Sequence, residues 1–195
     1  MKIGLLFGSF NPIHMGHLIL ARYWLNETDL AEIWLIVSPH NPHKSPAELA
    51  PAVHRLTMAR LAIAEDTDVR VCDIEFHLPE PSYTIDTLQV LQTAYPHEWV
   101  VLLGADTAAT VPTWKEGHVI LQNWTMWVYP RKNTSELHLP ISPRLRFFAE
   151  APRIDLSATQ IRTYLAQKRS IRYLVPPAVE AYIQTHNLYV PSATS

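Results

Sequence analysis

Phe7-Gly8-Ser9-Phe10-Asn11-Pro12-Ile13-His14-Met15-Gly16-His17 decides how this chain is read, because an apolar run ends there in a turn of small residues and a helix starts with two histidines. The run before it, Ile3 to Phe7, has the length and character of a buried strand, and His14 to Leu25, with Leu18, Ala21 and Leu25 on one stripe, that of the helix after it. The first amides of a helix have no internal partners and carry partial positive charge. Imidazoles placed beside them converge donors on an anion, so the turn is a candidate phosphate site. Read structurally, Gly8 and Gly16 would only serve the backbone of a tight turn. A metal site is the other reading, since His14 and His17 lie one helical turn apart and His40 and His43 repeat the spacing. Zinc needs three or four ligands, and one cysteine without an HExxH sequence does not supply them.

Working outward, apolar runs alternate with helical periodicity. Further strands are expected at Ile33 to Val37, Val69 to Cys72, Trp99 to Leu103, Thr125 to Tyr129 and Arg146 to Glu150. Helices are expected at Ala52 to Glu65 (Val53, Leu56, Ala59 and Ile63 inward), at Ile85 to Ala94 (Ile85, Leu88 and Leu91 inward), and near the end around Val179, Tyr182, Ile183 and His186. This alternation predicts an α/β fold, one parallel sheet flanked by helices, with the loops that follow the strands gathered on one edge. Prolines fall between these elements, and no break in composition calls for a second domain. Residues 1–190 read as one domain and 191–195 as a frayed C-terminal tail.

Composition narrows the classes. With 195 residues, 48% hydrophobic and 17% charged, the chain can bury a full core, and a formal net charge of −2 argues against a nucleic-acid partner. No apolar run approaches the roughly 18 residues of a membrane span, and the first strand follows Met1-Lys2 directly. Neither a membrane nor a secretory leader is expected. A lone Cys72 in an apolar run excludes an internal disulfide framework and fits a reducing, cytoplasmic location. The Walker sequence, the G-x-G-x-x-G turn and the G-x-S-x-G elbow are all missing.

Other segments add chemistry on the same edge. The proline-punctuated loop Ser38 to Lys44 delivers Lys44 as a phosphate contact, or leaves it a solvated surface lysine. In Ser157-Ala158-Thr159-Gln160-Ile161-Arg162, Ser157 reads as an N-cap with Gln160 reaching back, and the same start offers Ser157, Thr159 and Arg162 to a polyphosphate. Gly104-Ala105-Asp106 follows the strongest strand. Asp106 there is either a ribose acceptor or a helix cap. Ser82-Tyr83-Thr84-Ile85-Asp86-Thr87 and Trp114 read either as caps and packing or as a pocket for a flat aromatic ring.

Gly8-Ser9-Phe10-Asn11-Pro12-Ile13-His14-x-Gly16-His17 resembles the first signature of the HxGH nucleotidyltransferase superfamily, and Ser157 to Arg162 resembles its second. With Pro42-His43-Lys44, Ser82 to Thr87, Gly104-Ala105-Asp106, Trp114 and Val175-Pro176 to Ile183, the resemblance covers nearly the whole chain. It narrows to the bacterial nicotinate-nucleotide adenylyltransferase family. Two departures are visible: Phe7 stands where many members have a first glycine, and Tyr129-Pro130-Arg131-Lys132 lacks the common R-P-G form.

The resemblance implies a Rossmann-like fold of nucleotidyltransferase type. The implied reaction is ATP plus nicotinate mononucleotide giving deamido-NAD and pyrophosphate, with Mg²⁺ as cofactor and no protein metal ligand. It implies His14, His17, Lys44 and Arg162 as the catalytic charges, and Gly8, Ser9, Phe10, His17, Gly104, Asp106, Ser157, Thr159 and Arg162 around ATP. Asn11, His14, Lys44, Tyr83, Thr84 and Trp114 fall to the mononucleotide. The attacking phosphate is already largely dianionic at neutral pH, so no general base is required. Catalysis reduces to placement and charge neutralisation, and one lost donor such as His17 costs on the order of 10²–10³ in turnover. A pyridine carboxylate needs only donors whereas a carboxamide needs an acceptor too, which favours nicotinate over nicotinamide. Nicotinamide mononucleotide, another phosphate-bearing acceptor and a noncatalytic nucleotide sensor are the alternatives, and a homo-oligomer is compatible with the sequence.

Overall fold

The structure is a computed structural model that describes residues 1–40, 49–131 and 138–190. Six strands, β1 (Lys2–Gly8), β2 (Glu32–Val37), β3 (Val69–Cys72), β4 (Glu98–Gly104), β5 (Thr125–Tyr129) and β6 (Leu145–Phe147), form one sheet in the order β3-β2-β1-β4-β5-β6. Every pairing is parallel. The helices are α1 (Met15–Glu27), α2 (Ala52–Ala62), α3 (Thr84–Ala94), α4 (Ala105–Ala108), α5 (Gly117–Asn123), α6 (Ala158–Ala166) and α7 (Pro177–Thr185).

Strand side chains alternate between two cores, as the two-residue period requires. Leu6, Ile33, Leu35, Val37, Val100, Leu102 and Trp127 meet α1, α2, α6 and α7 through Trp24, Met58, Ile161 and Val179. Ile3, Leu5, Trp34, Ile36, Val101, Leu103 and Val128 meet α3, α4 and α5 through Ile85, Leu88, Ala105 and Ile120. Strand order reverses between β1 and β4, and the crevice beyond their carboxyl ends is where open α/β sheets take ligands.

Three expectations are corrected. β6 runs Leu145–Phe147 instead of Arg146 to Glu150; the Phe148 amide still donates to the Val128 carbonyl at 2.8 Å, and its ring packs edge-on against Trp24. α2 ends at Ala62, and its buried face carries Arg55, Leu56, Met58 and Ala59 while Val53 stays 63% exposed. On α1 the buried residues are Gly16, Leu20, Ala21 and Trp24, with Leu18 and Leu25 only partly covered. No described helix is long and apolar enough to cross a membrane. The expected frayed tail, 191–195, and Lys44 lie outside the described residues.

Candidate active site

The turn after β1 is held from several directions. Phe10 adopts the left-handed region at φ 45, and the Asn11-Pro12 peptide bond is cis. Asn11 Oδ1 accepts from the Ala50 amide at 3.0 Å and from the Tyr189 hydroxyl at 2.9 Å, while Arg162 Nη1 donates to the Asn11 carbonyl at 2.9 Å. That last bond spans 151 residues and sets the two motif segments against each other. His14 caps α1, and its amide donates to His17 Nδ1 at 3.2 Å. Because Nδ1 accepts, a neutral His17 carries its proton on Nε2, which makes that nitrogen a donor.

The two imidazoles stack with centroids 3.8 Å apart, and Phe10 meets His17 edge-on at 5.0 Å. Gly16 is required here, because a Cβ would come within 2.9 Å of His14 Nδ1. Burial, with a smaller push from the Arg131 charge, lowers the His14 pKa to about 4. His14 is therefore neutral in the empty protein. Its Nδ1 is buried without a hydrogen-bond partner.

Two cavities open at the strand ends. The first, of about 330 Å³, is lined by Asn11, His14, Gly16, His17, Ser157, Thr159, Arg162 and Arg131, with Asp106 and Thr107 on one side. Ser157 caps α6 as expected, accepting from the Gln160 amide at 3.2 Å; the Gln160 side chain instead turns to Tyr164, 3.0 Å away. Arg162 Nη2 also reaches the Thr159 hydroxyl at 3.3 Å. The first cavity thus collects cations, imidazoles and hydroxyls suited to a chain of phosphates.

The second cavity, of about 810 Å³, is lined by Gly8, Ser9, Ser38, Glu75, Ser82, Tyr83, Thr84 and Trp114, and shares Asp106 and Thr107 with the first. The Trp114 indole is fixed by its bond to the Thr110 hydroxyl at 3.0 Å. Lys115 sits 4.7 Å from the centre of the Tyr83 ring and pairs with Asp86 at 2.9 Å. The wall between the cavities is short. Asp106 Oδ1 accepts from the Thr107 amide at 2.9 Å, and Gly104 makes room beneath, since a Cβ there would lie 2.6 Å from Asp106 Oδ1.

Most expected site residues therefore converge, divided between the two cavities. Gly8 and Ser9, expected at ATP, line the second cavity. Phe10 lines neither and is a 3% exposed core residue that backs His17. Asn11, expected to hold the mononucleotide, lies at the first cavity with its side-chain oxygen engaged as a brace. Gly104, expected at ATP, sits under Asp106.

Besides Thr107, other residues not singled out from the sequence shape the site. Arg131 lines the first cavity, with Nε 3.7 Å from Asp106 and Nη1 3.5 Å from the Ile154 carbonyl. Ser38 and Glu75 lie at the second. Arg55 is 1% exposed, and its guanidinium donates to the carbonyls of Ser9 (2.7 Å), Ser38 (2.7 Å), Pro39 (2.6 Å) and Ala50 (2.9 Å). A lone helical arginine normally reads as solvated, so no local signal marked it. Among the described residues no three His, Cys, Asp or Glu side chains gather, and His43 lies outside those residues.

A parallel sheet with this order, an imidazole pair at the first helix start and an arginine returning from the second motif define a nucleotidyltransferase. The cytidylyltransferase-like family profile matches residues 5–164. The chain is 44% identical over 190 residues to the probable nicotinate-nucleotide adenylyltransferase of Cytophaga hutchinsonii, covering 97% of this chain and 98% of that one. It is 41% identical to its counterpart in Flavobacterium johnsoniae, covering 97% and 99%. The chain belongs to the nicotinate-nucleotide adenylyltransferase family. Its fold matches that of Plasmodium falciparum nicotinic acid mononucleotide adenylyltransferase complexed with NaAD, with a TM-score of 0.78 at 22% identity over 96% of this chain and 97% of that one.

Proposed function

We propose that this chain transfers the adenylyl group of ATP to nicotinate mononucleotide, giving deamido-NAD and pyrophosphate. The observation that carries the reading is the Arg162 bond to the Asn11 carbonyl, which makes the two motif segments walls of one phosphate-sized cavity. A mononucleotide in the second cavity would present its phosphate toward the Asp106–Thr107 wall, where the two cavities meet. An oxygen of that phosphate then attacks the α-phosphorus of ATP; the new P–O bond forms as the bond to the bridging oxygen breaks, and pyrophosphate departs.

The protein's part is orientation and charge. Ser157, Thr159 and Arg162 suit the β- and γ-phosphates, and His17, through Nε2–H, suits the α-phosphate with His14 behind it. Arg131 adds a charge, and Lys44 completes the set on sequence grounds. Asp106 addresses ribose hydroxyls, while Tyr83, Thr84 and Trp114 take the pyridine ring. The cations and hydroxyls of the first cavity would hold the triphosphate on which Mg²⁺ arrives, and phosphate oxygens would ligate the ion. When bound, Mg²⁺ neutralises charge on the phosphate oxygens.

The test is a panel of ATP with nicotinate mononucleotide, nicotinamide mononucleotide and phosphopantetheine, reading pyrophosphate. At least tenfold higher kcat/KM for the nicotinate compound is expected. Equal values would remove the acid preference, and pyrophosphate release with none of the three would make the chain a nucleotide sensor.

A further inference from the structure

The floor of the second cavity holds a group with no part in the mechanism above. Glu75, in the single 3₁₀ turn Ile74–His77 after β3, is 1% exposed. Its Oε1 accepts from the Thr87 hydroxyl at 2.8 Å, and Oε2 has no hydrogen-bond partner. Two other buried oxygens of the same cavity, Ser9 Oγ and Ser82 Oγ, also lack partners. Thr87 lies one turn along α3 from Thr84, and Ser82 immediately precedes Tyr83. Glu75 therefore sits under the segment that would grip the pyridine.

We infer that Glu75 is a positioning residue that sets substrate specificity: through Thr87 its carboxyl braces the first turn of α3 from below without presenting a negative charge to an acidic ring substituent. This rests on the nucleotide reading given above and names how its acid preference is kept. The first point is the absence of a counter-ion. Among the described residues no lysine, arginine or histidine pairs with Glu75. The nearby basic side chains are committed elsewhere, Lys115 to Asp86, Arg55 to four carbonyls and His40 to Glu80 at 3.6 Å. An unpaired carboxylate at such depth costs several kcal/mol, so the group keeps its proton. Burial raises its pKa in the same sense, and the neighbouring hydroxyls oppose that only in part.

The second point is what a charge would do there. The first amides of α3 lack intrahelical partners and suit an anionic substituent. A carboxylate beneath them would cancel that field, most strongly in a site closed to water. A protonated carboxyl gives the brace and spares the field. Glutamine is its neutral isostere; leucine keeps the bulk and loses the brace.

The experiment measures kcat/KM with ATP for nicotinate and nicotinamide mononucleotides in the wild type, Glu75→Gln and Glu75→Leu, together with the melting temperature. Expected is an acid-to-amide ratio within about threefold of wild type for Glu75→Gln, and one at least about tenfold lower for Glu75→Leu through a raised KM for the acid at similar kcat. A merely structural role would lower both substrates equally. The inference is overturned if Glu75→Gln raises the ratio tenfold, which would reveal a charge in the wild type, or if Glu75→Leu leaves it unchanged. Should Glu75→Leu not fold, Glu75→Gln carries the test. If the wild type turns over neither mononucleotide, the functional reading fails by itself. Calorimetric binding of the two mononucleotides to the same proteins, with the same expected ratios, then decides the role of Glu75.

Discussion

His14 carries two opposed demands. On the proposed function it stands where negative charge gathers, yet it is 6% exposed and burial holds it neutral down to a pKa of about 4, against an ordinary value of 6.5. Between those values the unfolded chain binds a proton that the folded chain refuses, so stability rises with pH across that window. The contribution is fully present above about 6.5 and is lost as pH falls through about 4, a total of about 3 kcal/mol. Urea unfolding of the wild type and of His14→Gln at pH 7 and pH 4.5 isolates it. The wild type should lose about 2–3 kcal/mol more than the variant on acidification; equal losses would mean that His14 titrates normally in the folded protein. At neutral pH the ring meets its ligand uncharged, and anions bound beside it would favour its protonated form.

Elements carry the next level, and Arg55 shows how. From α2 it fixes the turn after β1 through Ser9, the end of β2 through Ser38 and Pro39, and the entry to its own helix through Ala50. Each carbonyl left buried and unpaired costs about 1–3 kcal/mol. Arg55→Met is expected to destabilise the protein by about 3–5 kcal/mol, and Arg55→Lys, which keeps a charge but not the planar fork, by less. Chemical denaturation measures both, and an Arg55→Met protein as stable as the wild type would refute the brace. The same residue marks where the sequence stops being legible. β3 and β5 were readable to the residue because short apolar runs between turn signals admit one assignment. The turn from Phe7 to His17 was readable because small residues and paired histidines coincide. Arg55, Glu75 and Arg131 were not, since their roles depend on burial and on partners far along the chain. The outward Val53 failed for a related reason: the face that α2 buries includes an arginine, which an apolar stripe cannot reveal.

At the scale of the molecule, the reversal of strand order between β1 and β4 places two unlike cavities on either side of Asp106 and Thr107. On the proposed function one takes phosphates and the other a flat ring, so a dinucleotide spanning both should exclude a ligand from either. Saturation at about 100 times Kd stabilises a protein by about 2.7 kcal/mol, which for a chain of this size corresponds to about 5–10 °C in melting temperature. A nonhydrolysable ATP analogue and nicotinate mononucleotide, added together, should therefore raise the melting temperature by more than either alone. Deamido-NAD at saturation should abolish the further shift from each of them. If product and analogue instead stabilise the protein additively, the cavities are separate sites, and the transfer geometry argued from their shared wall falls with them.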